Sequence, residues 1–397
     1  MGTVESDLGP GAEGPRTSTL LDHTGRNLST DPAPVAPPPS RAAVANLRES
    51  EQANAVRYRV AGPGAQAPGH VESHFLKANS PDGVRALWVK HTLLVPSRAG
   101  DTPVAELWAI AFDQRGRRKL AQKTTYPLRA ARLAEVPFSF GLPDAELSHG
   151  AARGTVGQGA ESLSWDLHFA SDQAPFLPFR YPRMYSGAFP RSKSLTPFPD
   201  TRVYGSFSAW GERWELDGWR GAQGHNWGKS HAHAYGWVHC NALSPAPGAQ
   251  PLEDTWLEAL SGRVRLGPVV TPFLSVAGIK HQGRLFRFDA ARAIVSRKVA
   301  VQARPRAHER RIDTGSFGFE LRQDGATLVA SFHAEHDQFA GLSYRDPDGQ
   351  VLACLNSKLA RGQLTLSYEG RSTTLYTDQA ALELGIRSTD HGVVLLT

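Results

Sequence analysis

The chain has only two cysteines in 397 residues, Cys240 and Cys354. They stand in separate strand-like runs and make neither a disulfide framework nor a Cys-x-x-Cys metal pair, so they read as buried thiols of a reducing compartment. Long apolar runs are missing as well: none approaches the roughly 18 residues that a membrane span needs. The N-terminus lacks the basic-then-apolar order of a signal peptide, which together with the thiols places the protein in the cytoplasm. Absent motifs exclude chemistry too. There is no Gly-x-Ser-x-Gly elbow and neither cysteine has an activating neighbour in sequence, so nucleophilic catalysis finds no support. No phosphate-binding loop occurs, and no cofactor is implied.

What is present points to strands. Glycine (38), proline (28), Phe (17) and Trp (9) suggest many turns joining aromatic-rich strands. The formal net charge of +6 is gathered between Arg284 and Arg311, where nine Lys/Arg face only Asp289 and Glu309. Such a segment can attract nucleic acid or anionic lipid. No aromatic-basic interleaving or nucleic-acid motif accompanies it, so it reads as a solvated face, with peripheral membrane contact as its other use and no nucleic-acid partner. The opening Met1-Gly2-Thr3-Val4-Glu5-Ser6 fits a myristoylation pattern that is short enough to arise often by chance.

Residues 1–54 are rich in Pro, Gly, Ala, Ser and Thr with few large apolar side chains, and are expected to form a disordered tail. From Tyr58 short alternating runs begin. Val71 to Leu76, the turn Asn79-Ser80-Pro81-Asp82-Gly83 and Arg85 to Leu94 make a hairpin signature. A proline-broken segment, Pro175 to Pro199, reads as a crossing between halves, and a second series of strands starts near Arg202. The spacing, with turns at Asp324-Gly325 and Pro347-Asp348-Gly349, predicts an all-β chain of antiparallel barrels or sandwiches over 55–200 and 201–397. Ala290 to Val301 is the one candidate for a short helix.

Chemistry concentrates between Gly224 and Asn241. Gly224-His225-Asn226-Trp227-Gly228 sets a His and a Trp in a backbone whose glycines permit sharp bends or close approach. In the run from His231 to Asn241, period two puts Ala232, Ala234, Gly236, Val238 and Cys240 on one face and His231, His233, Tyr235, Trp237, His239 and Asn241 on the other. The small face suits packing; the other suits a cavity wall. In the next strand Trp256 and Glu258 share a face. A carboxyl group held among indoles loses hydration, which raises its pKa and keeps it protonated near neutrality, ready to act as an acid.

The opening strand with Glu72 and Ser73, Trp88, then Gly-His-Asn-Trp-Gly and an aromatic-x-acid strand resemble the two-domain lipocalin-like (calycin) superfamily of carotenoid 1,2-hydratase, or hydroxyneurosporene synthase. Tocopherol cyclase and certain fungal Diels-Alderases are its more distant relatives. The resemblance covers roughly Tyr58 to the C-terminus. In the hydratases a His-x-Trp pair and a Tyr-x-Asp pair on the next strand are implicated in catalysis. By position His225 and Trp227 match the first pair, while Trp256 and Glu258 stand where the second would, both members differing. The resemblance implies acid-catalysed hydration or cyclisation of an alkene in an apolar isoprenoid or polyketide-type molecule. Glu258 would donate the proton, His225 would orient or relay it, and Trp227, Trp237 and Trp256 would surround the cation. Asn226, Tyr235, His231, His233 and His239 complete the expected binding wall.

Three other readings compete. His231, His233 and His239 could converge on zinc, although no Glu stands at the spacing of a known zinc motif, so no metal is expected. A lipocalin-like barrel can carry an apolar ligand without transforming it. A degenerate member acting through protein contacts would fill its cavity with its own side chains.

Overall fold

The computed structural model describes residues 41–59, 69–289, 299–305, 312–387 and 391–397. A helix, α1 (Arg41–Asn54), precedes the first strand. Residues 41–54 of the segment expected as tail are thus helical, and residues 1–40 lie outside the described residues. Composition was a poor guide here because α1 is anchored by a few tertiary contacts: Leu47 packs on one core, and Asn54 Nδ2 donates to Gln223 Oε1 at 2.9 Å.

The first sheet is built from β1 (His70–Asn79), β2 (Arg85–Val95), β3 (Val104–Asp113), β4 (Arg118–Pro127), β5 (Arg132–Ala134), β6 (Ser139–Leu142), β7 (Ala145–Ser148), β8 (Ala151–Val156), β9 (Leu163–Ala170), β10 (Ser192–Ala209) and β11 (Glu212–Gly228). Its spatial order is β4-β3-β2-β1-β11-β10-β9-β8-β7-β6-β5, antiparallel throughout. After β12 (Ala234–Cys240) and β13 (Trp256–Arg263) comes a small ribbon of β14 (Arg265–Leu266) and β15 (Val269–Val270). The second sheet continues with β16 (Leu274–His281), β17 (Arg284–Phe288), β18 (Ala300–Pro305), β19 (Ile312–Gln323), β20 (Ala326–Glu335), β21 (Ala340–Arg345), β22 (Val351–Tyr368) and β23 (Arg371–Ile386). It runs β17-β16-β13-β12-β23-β22-β20-β19-β18, with β21 on β22. The two curled antiparallel sheets form a half-barrel and a nearly closed barrel.

The sheets divide after Gly228. A boundary at 200/201 runs through β10, which with β11 belongs wholly to the first sheet: β11 pairs with β1 from Val71↔Gly228 to Asn79↔Arg220. The Asp324-Gly325 turn is as expected, both residues having positive φ (50° and 76°), the twist-matched two-residue hairpin. The helix expected over 290–301 falls mostly outside the described residues, as does much of the basic segment Arg284 to Arg311. No helix among the described residues is long and apolar enough to cross a membrane.

Three apolar layers result from the pleat. In β2, Leu87 and Val89 enter the core of the first sheet, while Ala86 and Trp88 point away from it. In β12, Val238 and Cys240 enter the core of the second sheet, while Tyr235 and Trp237 point outward. The outward residues of both meet in a middle layer with Trp108, Leu342, Tyr344 and Leu352. Burial at roughly 25 cal/mol per Å² of apolar surface makes this layer an energetic joint as well as a wall.

Candidate active site

A cavity of about 210 Å³ lies within that middle layer. The first sheet contributes Phe75, Trp88, Lys90, Thr196 and Asn226; the second contributes Tyr235, Trp237, Glu258 and Glu383. Gly224 makes room for one wall, since a Cβ there would stand 2.2 Å from Phe75 Cζ. Phe75 in turn meets Trp237 edge-on, ring centroids 5.7 Å apart.

Glu258 is 3% exposed and reaches this cavity from β13, directly opposite His239 of β12 in register. Trp237 Nε1 donates to Oε1 at 3.3 Å, and the Thr196 hydroxyl donates to Oε2. Burial pushes the carboxyl up to about 7 against the opposing pull of those two donors. Near neutrality Glu258 thus holds its proton about half the time, beside aromatic faces and away from bulk water.

Of the other expected site residues, Tyr235, Trp237, His231 and Asn226 also line the cavity. His231 precedes β12, with Nδ1 2.8 Å from Asp346 Oδ1 and its ring stacked on Tyr344. Trp256 shares a face with Glu258 but packs further along against Phe176, at 5.3 Å. His239 donates from Nε2 to the Pro199 carbonyl at 2.8 Å, and burial holds its pKa well below the usual range. His233 is half-buried ahead of β12 and does not line the cavity. The three histidines considered for zinc are therefore each committed or placed apart.

His225 and Trp227 stand elsewhere. Alternation along β11 points Gly224 and Asn226 into the cavity and His225 and Trp227 through the opposite face of the sheet. His225 Nδ1 stands 2.7 Å from the Ala53 carbonyl oxygen and Nε2 2.9 Å from Glu72 Oε1, so both ring nitrogens are engaged within the protein. His74 stacks on it at 3.9 Å and reaches the Asn54 carbonyl. These imidazoles satisfy carbonyls at the end of α1 that a helix leaves unpaired. Burial alone would raise the Glu72 carboxyl, but hydrogen bonds from His225 and His70 outweigh it and hold the group well below the usual carboxylate range. Glu72, His74 and His225 have ligand-type atoms within 4.8 Å of one another. Glu72 already accepts from His225, His70 and the Arg57 and Tyr58 amides, so the cluster reads as a lock on α1. Trp227 lines a separate, open cleft of about 1470 Å³.

No protein-family model matches the chain, and no curated protein matches it. Solved structures do. CghA with Sch210972 superposes at TM-score 0.50 and 12% identity, over 81% of this chain and 89% of that one. Kievitone hydratase from Nectria haematococca superposes at 0.47 and 11% identity, over 80% and 89%. The chain has the lipocalin-like fold. The likeness is one of fold, so the chemistry has to come from this chain's own residues.

Sequence reasoning passed over Lys90, Glu383, Thr196 and Tyr344. Lys90 left a trace, being the one charged residue between Ala86 and Val95 and in phase with Trp88. The others meet the cavity only through long-range pairing.

Proposed function

We propose that the protein is an enzyme that protonates an alkene of an apolar isoprenoid or polyketide-type molecule in the cavity between the sheets, leading to hydration or cyclisation. The observation that carries this reading is Glu258, a carboxyl buried among aromatic rings whose affinity for its proton is raised to about 7. Its O–H bond breaks as the proton passes to the less substituted alkene carbon, leaving the Glu258 carboxylate. The tertiary cation is stabilised by the faces of Trp237, Phe75 and Tyr235. Water or a substrate hydroxyl then forms the C–O bond, and the released proton returns to the Glu258 carboxylate, so the acid is regenerated. His225 has no part in this step.

The size of the cavity favours an end group over a whole polyene. Pockets for drug-sized ligands occupy roughly 300–1,000 Å³, more than the space here. The outer cleft, a larger space, is walled in part by the same Phe179, Arg191 and Leu195 that line the cavity. The carrier reading rests on the apolar lining alone. Glu258→Gln separates the two: turnover of a prenylated substrate should fall by about 10²–10⁴-fold while binding persists. Undiminished turnover would remove Glu258 from the mechanism, and binding with no product from the wild type would favour the carrier.

A further inference from the structure

Besides Glu258 the cavity wall carries a buried lysine, from the first sheet. Lys90, 4% exposed, sets its Nζ 3.9 Å from the centroid of Tyr344, 5.4 Å from Trp88 and 5.6 Å from Trp108. It donates no hydrogen bond to any described residue. Rings attract a cation through their faces but leave its N–H donors unsatisfied.

Glu383 and Glu106 favour the charge on Lys90, but each has another cationic partner. Glu383 is taken by Lys358, 3.1 Å away, and by Asn356 at 2.8 Å. Glu106 lies 3.8 Å from Lys123. Burial pushes the Cys354 thiol up to about 12 and raises the Tyr235 and Tyr344 hydroxyls, so all three stay neutral. Glu258 carries its proton for much of the time near neutrality. One positive charge is left over beside a largely apolar cavity, and burial already pushes Lys90 down to about 8.

We infer that Lys90 is a specificity-determining residue that binds an anionic oxygen of the ligand, an enolate, phenolate or carboxylate, at the wall of the cavity that the first sheet provides. This rests on the reading of the cavity as the ligand site and narrows it: the substrate is an apolar molecule with one oxyanion. It also removes an obstacle to the proposed chemistry. An unneutralised ammonium would oppose a carbocation in the same cavity, and an oxyanion on Lys90 cancels that field.

The test uses two aromatic probes of similar shape, 2-naphthoate and the neutral ketone 2-acetonaphthone, titrated calorimetrically into the full-length wild type, Lys90→Met and Glu258→Gln. The wild type and E258Q should favour naphthoate by about tenfold or more, and K90M should lose that preference while still binding the ketone. In E258Q the preference should also fade at alkaline pH as Lys90 loses its proton, a readout that needs no folded K90M. A naphthoate preference that survives in K90M, or that is flat with pH in E258Q, overturns the assignment of Lys90 and leaves the cavity as a ligand site. Failure of both probes to bind the wild type overturns the cavity reading and this inference with it.

Discussion

Replacing Glu258 by Gln should remove a pH-dependent weakness from the fold. In the folded protein this carboxyl titrates near 7; in the unfolded chain it titrates near the ordinary glutamate value of about 4.3. Between those values the folded state keeps a proton that the unfolded state has released, so stability falls as the pH rises. The contribution is fully present below about 4.3 and is lost once the pH has passed through 7. A gap of about 2.7 pH units, at about 1.4 kcal/mol each, amounts to about 4 kcal/mol in all. Gln cannot ionise and escapes the loss. Asp200, raised by burial in the same direction, is common to both proteins and cancels in the difference. Urea unfolding followed by tryptophan fluorescence, from about pH 5 to about pH 8, should show E258Q gaining about 2.5 kcal/mol on the wild type, the part of the change that falls within that window. A difference that stays constant across the range would refute the argument that Glu258 is buried and protonated.

Two further outcomes follow from the geometry. His225→Ala withdraws a donor from buried Glu72 and leaves the Ala53 carbonyl unpaired; it should cost about 3 kcal/mol and expose α1 to limited proteolysis, without changing probe binding in the cavity. Trp237→Phe keeps a ring but loses the N–H that favours the Glu258 carboxylate, so the midpoint of the pH-dependent stability change should move upward. An unmoved midpoint would show that the 3.3 Å contact contributes nothing.

Much of this arrangement was legible from alternation alone. Period two in the run from Ala234 to Cys240 separates Tyr235 and Trp237 from Val238 and Cys240, as the middle layer and the second core require. The same rule, applied to Gly224–Gly228, would have parted Asn226 from His225 and Trp227. The family resemblance grouped them instead. Long-range pairing was out of reach: nothing local tells β11 that its partner is β1, some 140 residues earlier, and so the halves were divided inside β10. The helix α1 was hidden for a related reason. Its apolar residues are few, and its order comes from carbonyls held by His74 and His225, contacts that composition does not express. Lys90 looked like any strand lysine until Tyr344, from the other sheet, was placed beneath its ammonium.

The most direct test of the account is the protonation state of Glu258 itself. Difference infrared spectroscopy of wild type against E258Q, titrated across neutrality, reports the C=O stretch of a protonated carboxyl in an apolar site. The account predicts a band that is present at about pH 6, absent from E258Q, and lost with a midpoint near 7. A Glu258 already fully ionised at about pH 5 would contradict it.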